Sequence, residues 1–305
     1  MIRTLRLGLL LLFFTTASPT FGGVIHVGPG QSYTTIQSGY AAASNGDTLL
    51  IDDGNYVFPS TLNVTKSVAF QAVNIGGPHL SGGGSGPDDS IFFLSTDATF
   101  FGLFFSDSMS SHAIYQRDTG ANGIIRNSIF VDIQYPISIN NSGGTSGSFD
   151  IAHATIVNSL HGIDINDGGT ITIKNSIIAN TPGAPYVAVD DIAIIPDHNL
   201  LFDFGVLTGG GGFIATDPAQ IIADPLFVNS AGRDFRLLPG SPAIDSGLIL
   251  GQPFLGSAPD RGAFEFDISA VPEPSSLVLA GVGGFLALGC AWRRRLVWAK
   301  YAPRG

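Results

Sequence analysis

Residues 163–178 read Ile163-Asp164-Ile165-Asn166-Asp167-Gly168-Gly169-Thr170-Ile171-Thr172-Ile173-Lys174-Asn175-Ser176-Ile177-Ile178. Two short runs, Ile163–Asn166 and Ile171–Lys174, alternate apolar and polar residues, the period of a strand with one buried face. Between and after them stand Asp, Gly and Asn, the residues that turn a chain sharply. Working outward, the same pattern recurs. Phe101-Gly102-Leu103-Phe104-Phe105, Arg126-Asn127-Ser128-Ile129-Phe130, His153-Ala154-Thr155-Ile156-Val157, Lys174-Asn175-Ser176-Ile177-Ile178 and His198-Asn199-Leu200-Leu201-Phe202 align as five copies. The fourth residues are Phe104, Ile129, Ile156, Ile177 and Leu201, spaced by 25, 27, 21 and 24 positions. Periods of twenty-odd residues indicate a solenoid, and the Ile, Val, Thr and Phe content makes its elements strands. Asn127, Asn175 and Asn199 mark a repeated corner. The expected fold is all-β: a right-handed parallel β-helix over about residues 45–225. Ile129, Ile156 and Ile177 should stack in its core. Tyr33–Ala43 should form a short helix at its entrance.

Composition agrees. Of 305 residues, 40 are Gly and 18 Pro, and charged residues make up 12%, about half the usual share. With 44% hydrophobic residues the chain is neither disordered nor a coiled coil. The single cysteine, Cys290, excludes an internal disulfide framework and a Cys-based zinc site. Residues 24–270 hold seven basic and 23 acidic side chains, a net charge of −16. So acidic a body offers no basic patch for phosphates, which excludes nucleic acid as a partner.

Both ends read as targeting segments. Residues 1–22 carry Arg3 and Arg6, then the apolar run Leu7–Phe14 and a zone of small residues; this is the pattern of a signal peptide for the Sec translocon. Residues 277–292 are sixteen uncharged residues followed by Arg293, Arg294 and Arg295, a transmembrane helix with a cytoplasmic tail at 296–305. Before it stand Pro272, Glu273 and Pro274. Pro-Glu-Pro, span and arginine cluster in this order resemble a PEP-CTERM sorting signal over 271–295. That resemblance implies a Gram-negative bacterium. There the protein would be membrane-anchored until an exosortase-type protease processes it, then held at the cell surface or in the matrix.

The body falls into residues 23–223, the β-helix, and 224–270, a terminal module. The opening resembles pectate-lyase-like β-helices. Asp224-Pro225-Leu226-Phe227, Pro239-Gly240-Ser241-Pro242-Ala243-Ile244-Asp245 and Asp260-Arg261-Gly262-Ala263-Phe264-Glu265 are similar to the terminal module of choice-of-anchor Q surface proteins. Phe227, Leu237, Ile244 and Phe264 are expected to cap the bottom of the column. Asp224, Asp234, Asp245 and Asp260 are expected in structural turns.

Aligning strands 112–118, 135–141, 161–167 and 186–191 gives outward columns. They are Tyr115/Ser138/Asp164/Ala188 and Arg117/Asn140/Asn166/Asp190, with corners Asp118/Asn141/Asp167/Asp191 and strand entries His112/Tyr135/His161. Coils ~4.8 Å apart bring such groups into contact. The mixture suits sugar. Tyr115, Asn140, Asn166 and Asp190 are ligand-binding candidates, with Tyr115 offering a ring face to a pyranose. His161, Asp164 and Arg117 are the catalytic candidates for a polysaccharide lyase or glycoside hydrolase. Asp118, Asp167 and Asp191 are candidate Ca²⁺ ligands, being hard oxygen donors. The same columns also read as the solvated face of any half-buried strand. A second column, Arg126/His153/Lys174/His198, reads as solvated surface. The leading expectation is a non-catalytic exopolysaccharide-binding or matrix protein. A glycan-active enzyme follows, then a purely structural or adhesive module.

Overall fold

Left-handed backbone sets the corners of this chain. Gly102, Asn127, His153, Asn175 and His198 all have φ between 48° and 72°, where Gly and Asn are favoured and His is tolerated. Each follows a strand of one sheet and precedes a strand of the next. The computed structural model describes residues 22–84, 89–106, 112–141, 146–189 and 193–267. The chain is a parallel β-solenoid of about eight turns and right-handed type, with almost no helix. Sheet A has nine strands, from Val24–Val27 to Phe213–Ile214. Sheet B has eight, from Gly54–Phe58 to Ile221–Ile222, and sheet C seven, from Leu62–Val64 to Thr208–Gly209. From Thr48 to Ile222 the chain visits A, B and C in turn, and every ladder between coils is parallel.

The core is a column of rings giving way to aliphatics. Phe70 and Phe100 stack at 5.3 Å, and Phe105 and Phe130 at 4.8 Å. Ile156, Ile178 and Leu201 continue the Phe130 position. At the amino-terminal end, helix α1 (Ile36–Ala42) closes the column. Thr35 caps it by accepting from the Ser38 amide, satisfying a donor that a helix end leaves open. Ile36 and Tyr40 are buried, and Tyr40 stacks on Phe70.

Two expectations are corrected here. Ile129 pairs in register with Thr155, which pairs with Ile177, whereas Ile156 lies between Phe130 and Ile178. The expected Ile129/Ile156/Ile177 stack is therefore one residue out in its middle coil. The cause is His153, which holds the left-handed corner that Asn127 and Asn175 hold in neighbouring coils. The same shift dissolves the column Arg126/His153/Lys174/His198. Arg126 lies beside Ala152, Ala152 beside Lys174, and Lys174 beside Asp197.

The terminal segment does not cap the column's end. It lies along the outside of sheet B. Phe227, Phe235, Ala263 and Phe264 pack on Phe104, Ile129, Val131 and Val157. Leu237, Ala243, Ile244 and Phe266 pack on Ile177, Ala179 and Leu200. The middle strands of sheet B, Ile129–Val131, Thr155–Val157 and Ile177–Thr181, are buried on both faces, as strands covered on both sides are; the outer side needs a cover, and this segment supplies it.

Polar bonds fasten the cover along the way. Asn127 donates to the Ala263 carbonyl, Ala263 N–H donates to Thr155 Oγ1, and Asn175 donates to the Leu248 carbonyl. Arg261, 3% exposed, donates to the carbonyls of Ser246, Asn199 and Ala219. Gly262 sits in the same turn with φ 98°, and a Cβ there would lie 2.8 Å from Ile177 Cδ1. The acids of the segment serve its turns. Asp224 accepts from the Leu226 amide, and Asp234 pairs with Arg236. Asp245 accepts from the Ser257 and Ala258 amides, and Asp260 from those of Asp245 and Phe266.

Candidate functional site

Sheet C carries the candidate groups. Its registers place Tyr115 beside Ser138 and Ser138 beside Asp164, and they place Arg117 beside Asn140 and Asn140 beside Asn166. The next coil departs from expectation. Val187, not Ala188, follows Asp164, and Val189, not Asp190, follows Asn166. The shift arises because Tyr186 enters the core in register with Ile163 and is 1% exposed. Burial pushes its phenol far above the ordinary range, so it stays protonated. Asp190 and Asp191 lie outside the described residues, as do Pro272, Glu273, Pro274 and Arg293–Arg295.

The strand entries form a ladder of rings. His112 stacks on Tyr135, and Tyr135 on His161, each at 5.4 Å. Tyr115 stacks on His112 at 4.3 Å and meets Phe93 edge-on at 5.9 Å. Tyr115 is 2% exposed, so its ring faces are spent on neighbouring side chains. This corrects the expectation that it offers a face to a sugar. The ladder ends over Gly183, where a Cβ would lie 2.6 Å from His161 Cε1.

His161 has a defined proton arrangement. Its Nδ1 accepts from the Ala184 amide at 3.1 Å, which leaves Nε2 as the protonated nitrogen. Burial holds its pKa below the usual histidine value. Asp164 is 7% exposed, not the solvated side chain that alternation predicted. Burial pushes its carboxyl up to about 6, while the hydrogen bond from Asn166 pulls the other way. Among the described residues, Asn166 is its hydrogen-bond donor, at 2.8 Å. A carboxyl raised this way by desolvation is a feature that functional sites share. Arg117 and its neighbour Asp118 approach to 3.7 Å and are both well exposed.

Of the corner residues, Asp118, Asn141 and Asp167 are described. Asp118 and Asp167 have φ of 52° and 57°, so they are the left-handed residues that end their strands. Asn141 stands between them and is 2% exposed. Its oxygen accepts from the Asp118 amide and its nitrogen donates to the Gly168 carbonyl. Both ends of the Asn141 amide are thus engaged within the corner. Among the described residues no three His, Cys, Asp or Glu side chains group so as to hold a metal ion.

Sequence reasoning did not find the buried bridge on the opposite flank. His153, 3% exposed, meets the Asp260 carbonyl through Nδ1 and the Asn175 amide nitrogen through Nε2, both at 3.2 Å. A donor at Nδ1 and an acceptor at Nε2 describe a neutral ring. Burial keeps its pKa low. The one signal in the sequence was a histidine at a position where the two neighbouring coils carry asparagine.

Comparison with known proteins adds the address. A family model described as the PEP-CTERM protein-sorting motif matches residues 270–295. The chain is thus an exported protein, held in the membrane by its C-terminal segment until exosortase processing and associated with the surface afterwards. Among the described residues no helix is long and apolar enough to cross a membrane. Among solved structures, pectate lyase Pel9A is similar at 14% identity and TM-score 0.37, over 81% of this chain and 97% of that one. The pectin methylesterase from Aspergillus niger is similar at 11% identity and TM-score 0.42, over 67% and 84%. No curated protein matches the sequence.

Proposed function

We propose that this surface-sorted solenoid is a non-catalytic protein that binds exopolysaccharide along the outside of sheet C. The observation that carries the reading is the register of Arg117, Asn140 and Asn166. They lie on three consecutive coils, and none is buried. Coils repeat at ~4.8 Å, so the column offers a line of amide and guanidinium donors to the hydroxyls of an extended polymer. Recognition is by hydrogen bonds rather than ring stacking, because the rings of this face stack on one another. The raised Asp164 carboxyl and the neutral His161 support a second reading, a glycan-active enzyme, in which Asp164 is the proton donor.

The test is affinity electrophoresis of the full chain through gels holding a neutral glucan or polygalacturonate, with reducing-end and unsaturated-uronate assays in parallel. Retention that is lost in the Asn140→Ala/Asn166→Ala double variant, without product, supports binding. Product formation that stops in Asp164→Asn replaces it with the enzyme. Absence of both refutes glycan recognition by this face and leaves a structural or adhesive module.

A further inference from the structure

One carboxylate on the outside of sheet C lacks a counter-charge. Asp164 is 7% exposed, and Asn166 Nδ2 donates to one of its oxygens. Among the described residues no donor reaches the other. Ser138, beside Asp164 in register on the preceding coil, is 2% exposed. Its hydroxyl makes no hydrogen bond among the described residues, and Asn166 Oδ1 accepts none. Side chains at 164 and 166 point to the same side of their strand, so these oxygens share one face. A nearly buried acceptor without a donor costs free energy, and most when it is charged.

The body does not supply the missing cation. Of the seven basic side chains in residues 24–270, one, Arg117, lies on sheet C. It stands two coils from Asp164, roughly 10 Å away, and approaches Asp118 at 3.7 Å. His161 is neutral, since its Nδ1 accepts from the Ala184 amide. Residues 85–88, 107–111, 142–145 and 190–192 enter or leave sheet C strands in sequence, and they contain four aspartates and no basic residue.

From these observations we infer that the cation comes with the ligand, and that the ligand is an amino-sugar polymer whose ammonium group is held by Asp164, Ser138 and Asn166. The assignment rests on glycan binding by sheet C and narrows it to polymers with free amines. Such a chain lies along Asn140 and Asn166, neither of them buried, and an amino substituent reaches Asp164 beside them. An ammonium offers three N–H donors and needs no acceptor, which matches a carboxylate, a hydroxyl and an amide oxygen. Other polymers fit less well. A uronate chain is repelled by a body of net charge −16, and a neutral chain leaves Asp164 without a counter-charge.

The experiment is calorimetric titration of the full chain in detergent at pH 7 with hexasaccharides of glucosamine, N-acetylglucosamine, glucose and galacturonate, the last with calcium present. The glucosamine hexamer should bind roughly 10- to 100-fold tighter than the glucose hexamer, the scale of one hydrogen bond to a charged group. Asp164→Asn should remove that advantage and leave the affinity for the glucose hexamer unchanged. Asp150→Asn deletes the same charge from an exposed position on sheet A and should alter neither, which separates a site from attraction by net charge. If Asp164→Asn melts early, Ser138→Ala is the second variant and should weaken the glucosamine hexamer alone. Equal affinity for the glucose or N-acetylglucosamine hexamer, or a preference for galacturonate, overturns the inference and leaves sheet C a glycan site. A loss matched by Asp150→Asn, or a tetralysine peptide bound as tightly, also overturns it. Binding of no hexamer overturns glycan recognition by sheet C together with this inference.

Discussion

Asn166 donates to Asp164 from two residues further along the same strand, at 2.8 Å, and the carboxyl it holds is almost out of solvent. Amide and acid point to one face because strand side chains alternate.

Asp164 ionises against its surroundings, which fixes the sign of one prediction. Its folded pKa of about 6 lies above the unfolded 3.8. The stability it contributes is full below pH 3.8 and is lost as pH rises through 6, a change of about 3 kcal/mol at most. Asp164→Asn keeps the shape and never ionises. Urea unfolding should show the variant about 1–3 kcal/mol more stable than wild type at pH 7.5 and nearly equal at pH 3.5. A variant less stable at pH 7.5 would refute this account.

The bridge through His153 has the opposite pH dependence. Its folded pKa is depressed by burial, so its stabilising effect is complete above the unfolded value of 6.5 and declines as pH falls. Protonation would aim an N–H at the Asn175 amide nitrogen, with the Arg126 charge nearby as a further cost. Hydrogen exchange in residues 224–267 should therefore quicken from pH 7.5 to 5.5, after correction for intrinsic rates. In His153→Asn, which accepts the left-handed corner, that quickening should be reduced. An unchanged pH response would remove His153 as its origin.

Arg261 holds the cover by geometry more than by charge. Its guanidinium satisfies three carbonyls on separate stretches of chain. Lysine keeps the charge but cannot reproduce the planar fork. Arg261→Lys should cost about 2–4 kcal/mol, the scale of leaving buried acceptors unpaired. Calorimetry giving a loss under about 0.5 kcal/mol would count against the clamp.

Gly183 makes room for the end of the ring ladder. Gly183→Ala sets a methyl against His161 and the Leu160 carbonyl. It should destabilise by about 1–3 kcal/mol, as overpacking does. It should also break the bond from Ala184 to His161 Nδ1, visible as a changed histidine nitrogen resonance. An unaltered resonance would show that the ring position does not depend on this glycine.

The repeat was legible because Ile163/Ile165 and Ile171/Ile173 alternate cleanly and the corners recur. Register was not, at three places: in sheet C, where Tyr186 enters the core, and at two corners that share one cause. Sequence alignment treated asparagine as the corner, but the corner is a backbone state, and His153 and His198 adopt it at φ 54°. Asn199, read as a corner, lies one position later and is fully buried. It donates to the Ile173 carbonyl and accepts from the Ser176 amide. In the candidate site, alternation correctly turned Tyr115 and Asp164 away from the solenoid core. It could not show that neighbouring coils bury what a single strand leaves exposed. The apolar outside of sheet B was written in Ile129-Phe130-Val131 and Ile177-Ile178-Ala179, and only long-range packing shows that residues 224–267 cover it.

That cover decides how the molecule bears load. A stack of coils that touch only their neighbours can peel from its last member, one coil at a time. Here the chain leaves the fold from a strip that crosses many coils, with attachments at Asn127, Thr155, Asn175 and Asn199. Tension arriving from the carboxy-terminal side enters the middle of the solenoid first and spreads over several coils in shear. Under a pulling force the final coil is thus a bystander, and yielding should come as one large event rather than a series of small ones.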